Sequence, residues 1–298
     1  MKGLFERPTR GRNVRSFHIL HYIPNHYLHI LNGYQDVIDS LVWALRALGH
    51  AATNAVNERR EGATHILFGF QFMPADLLAS FAPDTIVYNL EQLDGVLELG
   101  LHTDGYRFCA EHFGIWDYSQ RNLELWRAHF AARCTHLVPV GFAPTLCRIP
   151  PSEAQDIDVL FYGQPSEYRS DTLKRLSRFG LKILSFYGLY GPARDEFIGR
   201  SKMVLNLRAS PDIAVFSSVR VGYLLANRKA VVSDVAACDA DLAEAVCVGE
   251  PDQIPLLCKH LADNDPQRLW YEAHGYEAFA RRDLATLLRP ALDALSAP

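Results

Sequence analysis

The sequence predicts an α/β protein made of two parallel-sheet domains facing across a cleft, with a helical C-terminus. Three observations predict it. Short apolar strands alternate with amphipathic helices in both halves of the chain, the pattern of parallel strands covered on both faces. A stretch without periodicity, Pro144 to Asp156, holds Pro150-Pro151 and suits an extended spacer between the halves. Beyond Asp234 the pattern is helical almost throughout.

In the first half, Phe17 to Ile23 reads as a strand. Tyr34 to Leu48 is amphipathic (Val37, Ile38, Leu41, Val42, Leu45, Leu48) and is closed by Gly49, a helix cap. Strands are expected at Ala51–Val56, Thr64–Phe70 and Thr85–Leu90, with helices at Ala75–Phe81, Tyr106–Phe113 and Arg121–Phe130 that lead to Cys134–Pro139. The second half is more regular. Strands at Ile157–Gly163, Leu181–Gly188, Met203–Leu207 and Ala230–Asp234 alternate with helices at Arg169–Phe179, Ala193–Ser201 and Phe216–Asn227. Helices are then expected at Asp239–Ala245, Asp252–Ala262, Gln267–Phe279 and Asp283–Leu295. The expected division is a basic flexible tail at 1–16, a first α/β domain at 17–145 and a second at 155–298 that includes the terminal helices.

The 298 residues are 49% apolar and 21% charged, as in a soluble globular protein, and no apolar run is long enough for a membrane span. The start, Met-Lys-Gly-Leu-Phe-Glu-Arg, lacks the apolar region of a secretory signal. Six cysteines (109, 134, 147, 238, 247 and 258) form no C-x-x-C pair, so reduced thiols in a cytoplasmic protein are expected and a zinc site is not. The net charge of −4 argues against a nucleic-acid partner. Lys2, Arg7, Arg10, Arg12 and Arg15 make only the tail basic.

Ligands of parallel sheets bind at the carboxyl ends of the strands, where this sequence collects Gly163, Gln164, Tyr187, Arg208 and the Ser217-Ser218 pair. No G-x-G-x-x-G or P-loop occurs, so neither a nicotinamide cofactor nor ATP hydrolysis is supported. His18, His21, His26 and His29 lack the spacing of a helical metal site. Asp239-Ala-Asp241 and Asp156-Ile-Asp158 precede a helix and open a strand, and neither is expected to bind metal.

Residues 85–280 resemble the GT-B glycosyltransferases, two Rossmann-like domains around a cleft. The resemblance is carried by Asp156-Ile-Asp-Val-Leu-Phe-Tyr-Gly163, by Tyr190-Gly-x-x-Arg-Asp195 with Arg200-Ser-Lys-Met-Val-Leu-Asn206, and by Val219-Arg-Val through Ser233-Asp234. These segments look like the donor-binding domain of a bacterial group-1-like family. Tyr88-Asn-Leu-Glu-Gln-Leu93 and Trp116-Asp-Tyr-Ser119 look like its N-terminal, acceptor-binding half. The resemblance implies transfer of a sugar, hexosyltransferase-like, from a nucleotide-diphosphate sugar to an acceptor hydroxyl on a glycan, small molecule or protein. Neither metal nor cofactor is expected. One departure stands out: where the family pattern has an acid just before Val-Arg-Val, this chain has Phe216-Ser217-Ser218. That departure favours the alternative of a non-catalytic nucleotide-sugar or glycan-binding protein; a sugar epimerase is a third possibility.

The resemblance and the strand ends together give roles to single residues. The N-terminus of the Phe216–Asn227 helix suits a diphosphate, with Ser217 and Ser218 as hydroxyl donors and Arg220 or Arg208 as the neutralising cation. Serine at that place also serves as a plain helix cap. Gly163 lets backbone approach a ligand, with Arg169 shortly after it. Tyr187 can stack on a base or sugar or belong to the core, and Lys202 is a donor contact by resemblance or a surface lysine. Glu91, just past an apolar strand, is the candidate general base, with Asp117 the second candidate.

Overall fold

A computed structural model describes residues 14–24, 31–100, 102–152, 154–234 and 240–295 of the chain. The apolar runs of the first half form six parallel strands: β1 (Ser16–His21), β2 (Ala51–Val56), β3 (Thr64–Phe68), β4 (Ile86–Asn89), β5 (Gly114–Asp117) and β6 (Thr135–Leu137). Their order in the sheet is β2-β1-β3-β4-β5-β6. A second, separate parallel sheet holds β7 (Ile157–Tyr162), β8 (Ile183–Phe186), β9 (Ser201–Asn206), β10 (Ala230–Ser233) and β11 (Cys247–Val248), in the order β11-β10-β9-β7-β8. Burial tracks position. Central β1 and β9 are buried along nearly their whole length, whereas edge strands β2 and β8 are partly exposed.

The connecting helices are α1 (Gln35–Ala47), α2 (Ala75–Ala79), α3 (Leu93–Leu99), α4 (Thr103–His112), α5 (Gln120–Phe130), α6 (Glu167–Leu176), α7 (Pro192–Arg200) and α8 (Ser218–Ala226). The C-terminal run is α9 (Ala240–Ala243), α10 (Ile254–Asp263), α11 (Asp265–Ala280) and α12 (Leu284–Ala294). The apolar face of α1 is buried as its spacing requires, and Gly49 beyond it has a φ of 89°. Side-chain oxygens of Ser119, Ser166 and Asp283 cap α5, α6 and α12. Four of these elements lie outside the predicted pattern: β5, β6, α3 and β11. Strands of four, three and two residues are too short for a periodic signal.

The segment between the sheets is pinned, not merely extended. Pro144–Leu146 forms a 3₁₀ turn, and Asn227 at the end of α8 clamps residues 146–149 of the crossing. Its Oδ1 accepts from the backbone N–H of Arg148 and Ile149, both at 2.9 Å, and its Nδ2 donates to the Leu146 carbonyl, also at 2.9 Å.

The chain ends by returning to the first half. The Phe142 and Leu284 N–H groups bond to the carbonyls of Arg282 and Phe142, and Arg15 donates to the Leu295 carbonyl. Leu284, Leu288, Ala291 and Leu292 of α12 are buried in the same apolar cluster as Val37, Ile38, Leu41 and Leu45 of α1. Among the described residues, no helix is long and apolar enough to cross a membrane, and no group of three metal-ligating side chains occurs. The basic tail residues Lys2, Arg7, Arg10 and Arg12, together with His26, His29 and Asp239, lie outside the described residues.

Asn227→Ala removes four hydrogen bonds and leaves backbone groups of the crossing segment and the Tyr223 carbonyl without this partner. Urea denaturation should show a stability loss of about 2–4 kcal/mol, well above the cost of an ordinary surface substitution.

Candidate active site in the cleft

The carboxyl ends of both sheets open onto one cavity of about 630 Å³, within the usual size range for a small-molecule site. In each sheet the strand order reverses beside the first strand, between β1 and β3 and between β7 and β9, which leaves a crevice there. The second half lines the cavity with Tyr162-Gly163-Gln164 after β7, the Phe186–Tyr190 loop after β8, Arg194 of α7, and Ser217, Val219, Arg220 and Tyr223 at the start of α8. The first half supplies Gly33, Tyr34 and Asp36 around the start of α1, Gln71 and Phe72 after β3, Leu90-Glu91-Gln92 after β4, and His102, Tyr106 and Tyr118.

Arg220 is the chemically distinctive group of the second wall. Its Nη1 donates to the neutral Asn206 Oδ1 at 3.3 Å, at the end of β9. Among the described residues it forms no ion pair, and its Nε is enclosed without a partner. The guanidinium lies 5.4 Å from the centre of the Tyr162 ring. Burial lowers its pKa from the ordinary arginine value, yet a guanidinium keeps its charge in a protein. Gly163 makes room for it: a Cβ there would stand 2.9 Å from Arg220 Nη2, and its φ of 152° is one that other residues rarely adopt. The first-turn N–H groups of α8 add a partial positive charge beside it. The side chain of Ser217, at the N-cap, makes no capping bond.

Glu91 is the corresponding group of the first wall. Tyr34 Oη donates to its Oε1 in a short hydrogen bond, and Gln71 Nε2 donates to Tyr34 Oη at 3.3 Å. Burial raises the Glu91 pKa; the Tyr34 bond and the nearby His102 draw it partly back. The backbone of Glu91 is held by two asparagines, its carbonyl accepting from Asn89 Nδ2 at 3.0 Å and Asn122 Nδ2 at 2.8 Å.

Asp117 organises that arrangement from behind. It is wholly buried at the end of β5 and does not line the cavity. Its two oxygens accept from Asn89 Nδ2, Asn122 Nδ2, Trp126 Nε1 and the Ser119 N–H, at 2.7–3.0 Å. Burial pushes its pKa up to about 7, and these four donors act in the opposite direction.

Of the residues singled out by sequence, Glu91, Gly163, Gln164, Tyr187, Ser217 and Arg220 meet at the cavity. The others stand elsewhere. Lys202 lies at the amino end of β9, away from the ligand edge, ion-paired to Asp158 at 2.8 Å. Arg169 spends its guanidinium on the carbonyls of Leu207 and Gln164, which fixes the turns around the site. Arg208 is bound to Asp234 and to the Pro211 carbonyl. Ser218 is buried in the first turn of α8 without reaching the cavity wall.

Sequence reasoning missed Tyr34, Gln71, His102 and Arg194. His102 carried one structural trace, a φ of 54° at the start of α4, which no sequence pattern announces. Arg194 stood inside the Tyr190-Gly-x-x-Arg-Asp195 motif without an assigned role. It pairs with Asp36 Oδ2 at 2.9 Å and Asp195 Oδ1 at 2.8 Å, and lies 4.2 Å from the centre of the Tyr223 ring.

No protein-family profile and no curated protein matches the sequence. Solved structures do match. AviGT4, a glycosyltransferase involved in avilamycin A biosynthesis, superposes with a TM-score of 0.58 at 17% identity, over 94% of this chain and 97% of that one. The T4 phage enzyme BGT, in complex with UDP-glucose, gives 0.57 at 12%, over 94% and 99%. The trehalose-6-phosphate synthase OtsA gives 0.56 at 11%, over 95% and 99%. The fold is that of the GT-B glycosyltransferases. The two-sheet division, the intervening cavity and the returning C-terminal helix are thus one architecture over nearly the whole chain.

In this GT-B cleft, Asp117 is a positioning residue for the Glu91 loop. Asp117→Asn puts an amide NH₂ among groups that all donate. Thermal and urea unfolding should report a loss of about 2–4 kcal/mol.

Proposed function

We propose that the chain transfers a sugar from a nucleotide-diphosphate sugar to an acceptor hydroxyl. The observation that carries this reading is Arg220: a cation without an ion-pair partner among the described residues, at the start of α8, on the wall of a cavity whose other half supplies Glu91. A diphosphate is the ligand such a group accommodates, because the helix N–H groups, Ser217 Oγ and the guanidinium together can hold several phosphate oxygens. Negative charge grows on the leaving diphosphate during transfer, so the same groups stabilise the transition state more than the ground state. Tyr187, half-exposed on the loop after β8, can flank the base or sugar.

In the same proposal Glu91 is the general base, receiving the acceptor proton as the new glycosidic bond forms. Its raised pKa makes it a stronger base than an ordinary carboxylate, and Tyr34 holds the oxygen in place. Enclosure by both halves orients the partners and keeps water, the competing nucleophile, from the donor. One observation favours the second reading, binding without turnover: the first turn of α8 carries no acidic residue to hold a donor hydroxyl.

Calorimetric titration with UDP, GDP, ADP, CMP and dTDP should find one nucleotide that binds. Arg220→Ala should weaken that binding by about 1–3 kcal/mol, the range for a charged hydrogen bond. Unchanged affinity in a folded variant would remove the phosphate assignment.

Glu91→Gln should lower turnover about 10²–10⁴-fold and leave nucleotide affinity nearly intact. A base acts only when ionised, so the parent rate should rise with pH through an apparent pKa above the usual carboxylate range. Tyr34→Phe removes a donor that favours the ionised form, so it should move this limb to higher pH. A parent that binds nucleotide yet transfers to no acceptor would leave the binding reading in place.

A further inference from the structure

The charges of the cavity are sorted by wall. Arg194 and Arg220, its arginines among the described residues, both come from the second half, and the described residues of the first half add neither lysine nor arginine. Asp36 on the first wall is already neutralised, by Arg194 at 2.9 Å and Arg148 at 3.3 Å. That leaves Glu91, a carboxyl bonded to Tyr34 and without an ion-pair partner among the described residues, as the charge that an acceptor meets. His102, the basic ring on this wall, interacts with Glu91 itself.

Around Glu91 the wall also carries apolar side chains. Phe72, partly buried, meets the His102 ring edge-on at 4.8 Å, and Leu90 and Val96 are also only partly buried. Hydrogen-bonding capacity is neutral: the amides of Gln71 and Gln92 and the Tyr34 hydroxyl.

We infer that the acceptor is an uncharged glycoside, a sugar ring whose apolar face lies against this aromatic wall while one hydroxyl meets Glu91. An anionic acceptor, such as a sugar phosphate or a nucleic acid, would bring its charge to the wall that holds Glu91 and, among the described residues, no compensating lysine or arginine. The donor diphosphate and the acceptor therefore differ in charge because their walls do. This inference takes the acceptor half of the proposed transfer further, but its test needs no turnover.

Saturation-transfer NMR and calorimetry on the full chain, with methyl hexosides and the corresponding hexose 6-phosphates as probes, measure the choice directly. A neutral hexoside should bind at least tenfold more tightly than its phosphorylated counterpart. Phe72→Ala should weaken hexoside binding several-fold while leaving nucleotide affinity unchanged. Val96→Arg, which adds a cation to the same wall, should narrow the preference. Phosphates that bind as well as the neutral sugars, or a panel in which no hexoside binds while nucleotide does, would overturn the inference. Failure of the transfer proposal itself appears separately, as hexoside binding without nucleotide binding.

Discussion

The geometry of the cleft depends on one buried ion pair, Asp36 of α1 with Arg194 of α7. Each sheet has its own strand order and its own crossings, so nothing in either sheet sets the distance between them. The pair bridges them: both partners are nearly inaccessible, at 6% and 5% exposure, and stand on opposite halves. Removing two charges from water is costly, and a buried pair often adds little net stability. This one is supported on every side: Arg148 reaches Asp36 and Asp39, and Asp195 holds both Arg194 and the Tyr223 hydroxyl. Burial opposes the Arg194 charge, but the oxygens of Tyr162, Asp36 and Asp195 outweigh it and raise its pKa. What the cluster contributes is position. A shift of either helix would strand a charge in the interface, so the walls carrying Glu91 and Arg220 keep their spacing.

Other contacts close the remaining sides of the cavity. Asp94 at the start of α3 accepts from the N–H groups of Ala214 and Val215, at 2.8 and 3.1 Å, and Gln92 donates to the Val215 carbonyl. On the far side α12 lies over α1. The loop that leads into α8 is thus tied to the segment that carries Glu91. The two walls of the cavity are mechanically joined within a few residues of Glu91 and Ser217, which makes a change at one felt at the other.

Most of the architecture was legible in the sequence because buried parallel strands and amphipathic helices have distinct periods. The runs at 157–162 and 230–233 and the helix at 35–47 matched their patterns closely. Strand order was not legible, since it is set by crossings that leave no local mark. The site was half legible for a related reason. Gly163, Ser217 and Arg220 could be placed because strand ends and helix starts can be read, and ligand sites lie beside them. Lys202 was misleading because the observed β9 begins at Ser201, which puts this lysine at the wrong end of the strand. Arg169 and Arg208 stand near the right edge, but their hydrogen bonds to carbonyls and to Asp234 depend on tertiary placement. Tyr34 and His102 are absent from any motif; they become neighbours of Glu91 only through folding.

Two charged groups of the cavity wall, Arg220 and Glu91, have no ion-pair partner among the described residues. In a folded chain an enclosed guanidinium without a carboxylate is unfavourable, and so is a carboxyl drawn away from water. Other charged groups found an opposite charge, as Asp36 did with Arg194, Asp158 with Lys202 and Asp234 with Arg208. Arg220 instead faces Asn206, and Glu91 faces Tyr34, so each has a neutral hydrogen-bond partner. A neutral partner leaves the charge in place for a third party. On the proposed reading, an anion beside Arg220 would offset the cost of that enclosed cation, and an acceptor hydroxyl at Glu91 would do the same for the carboxyl.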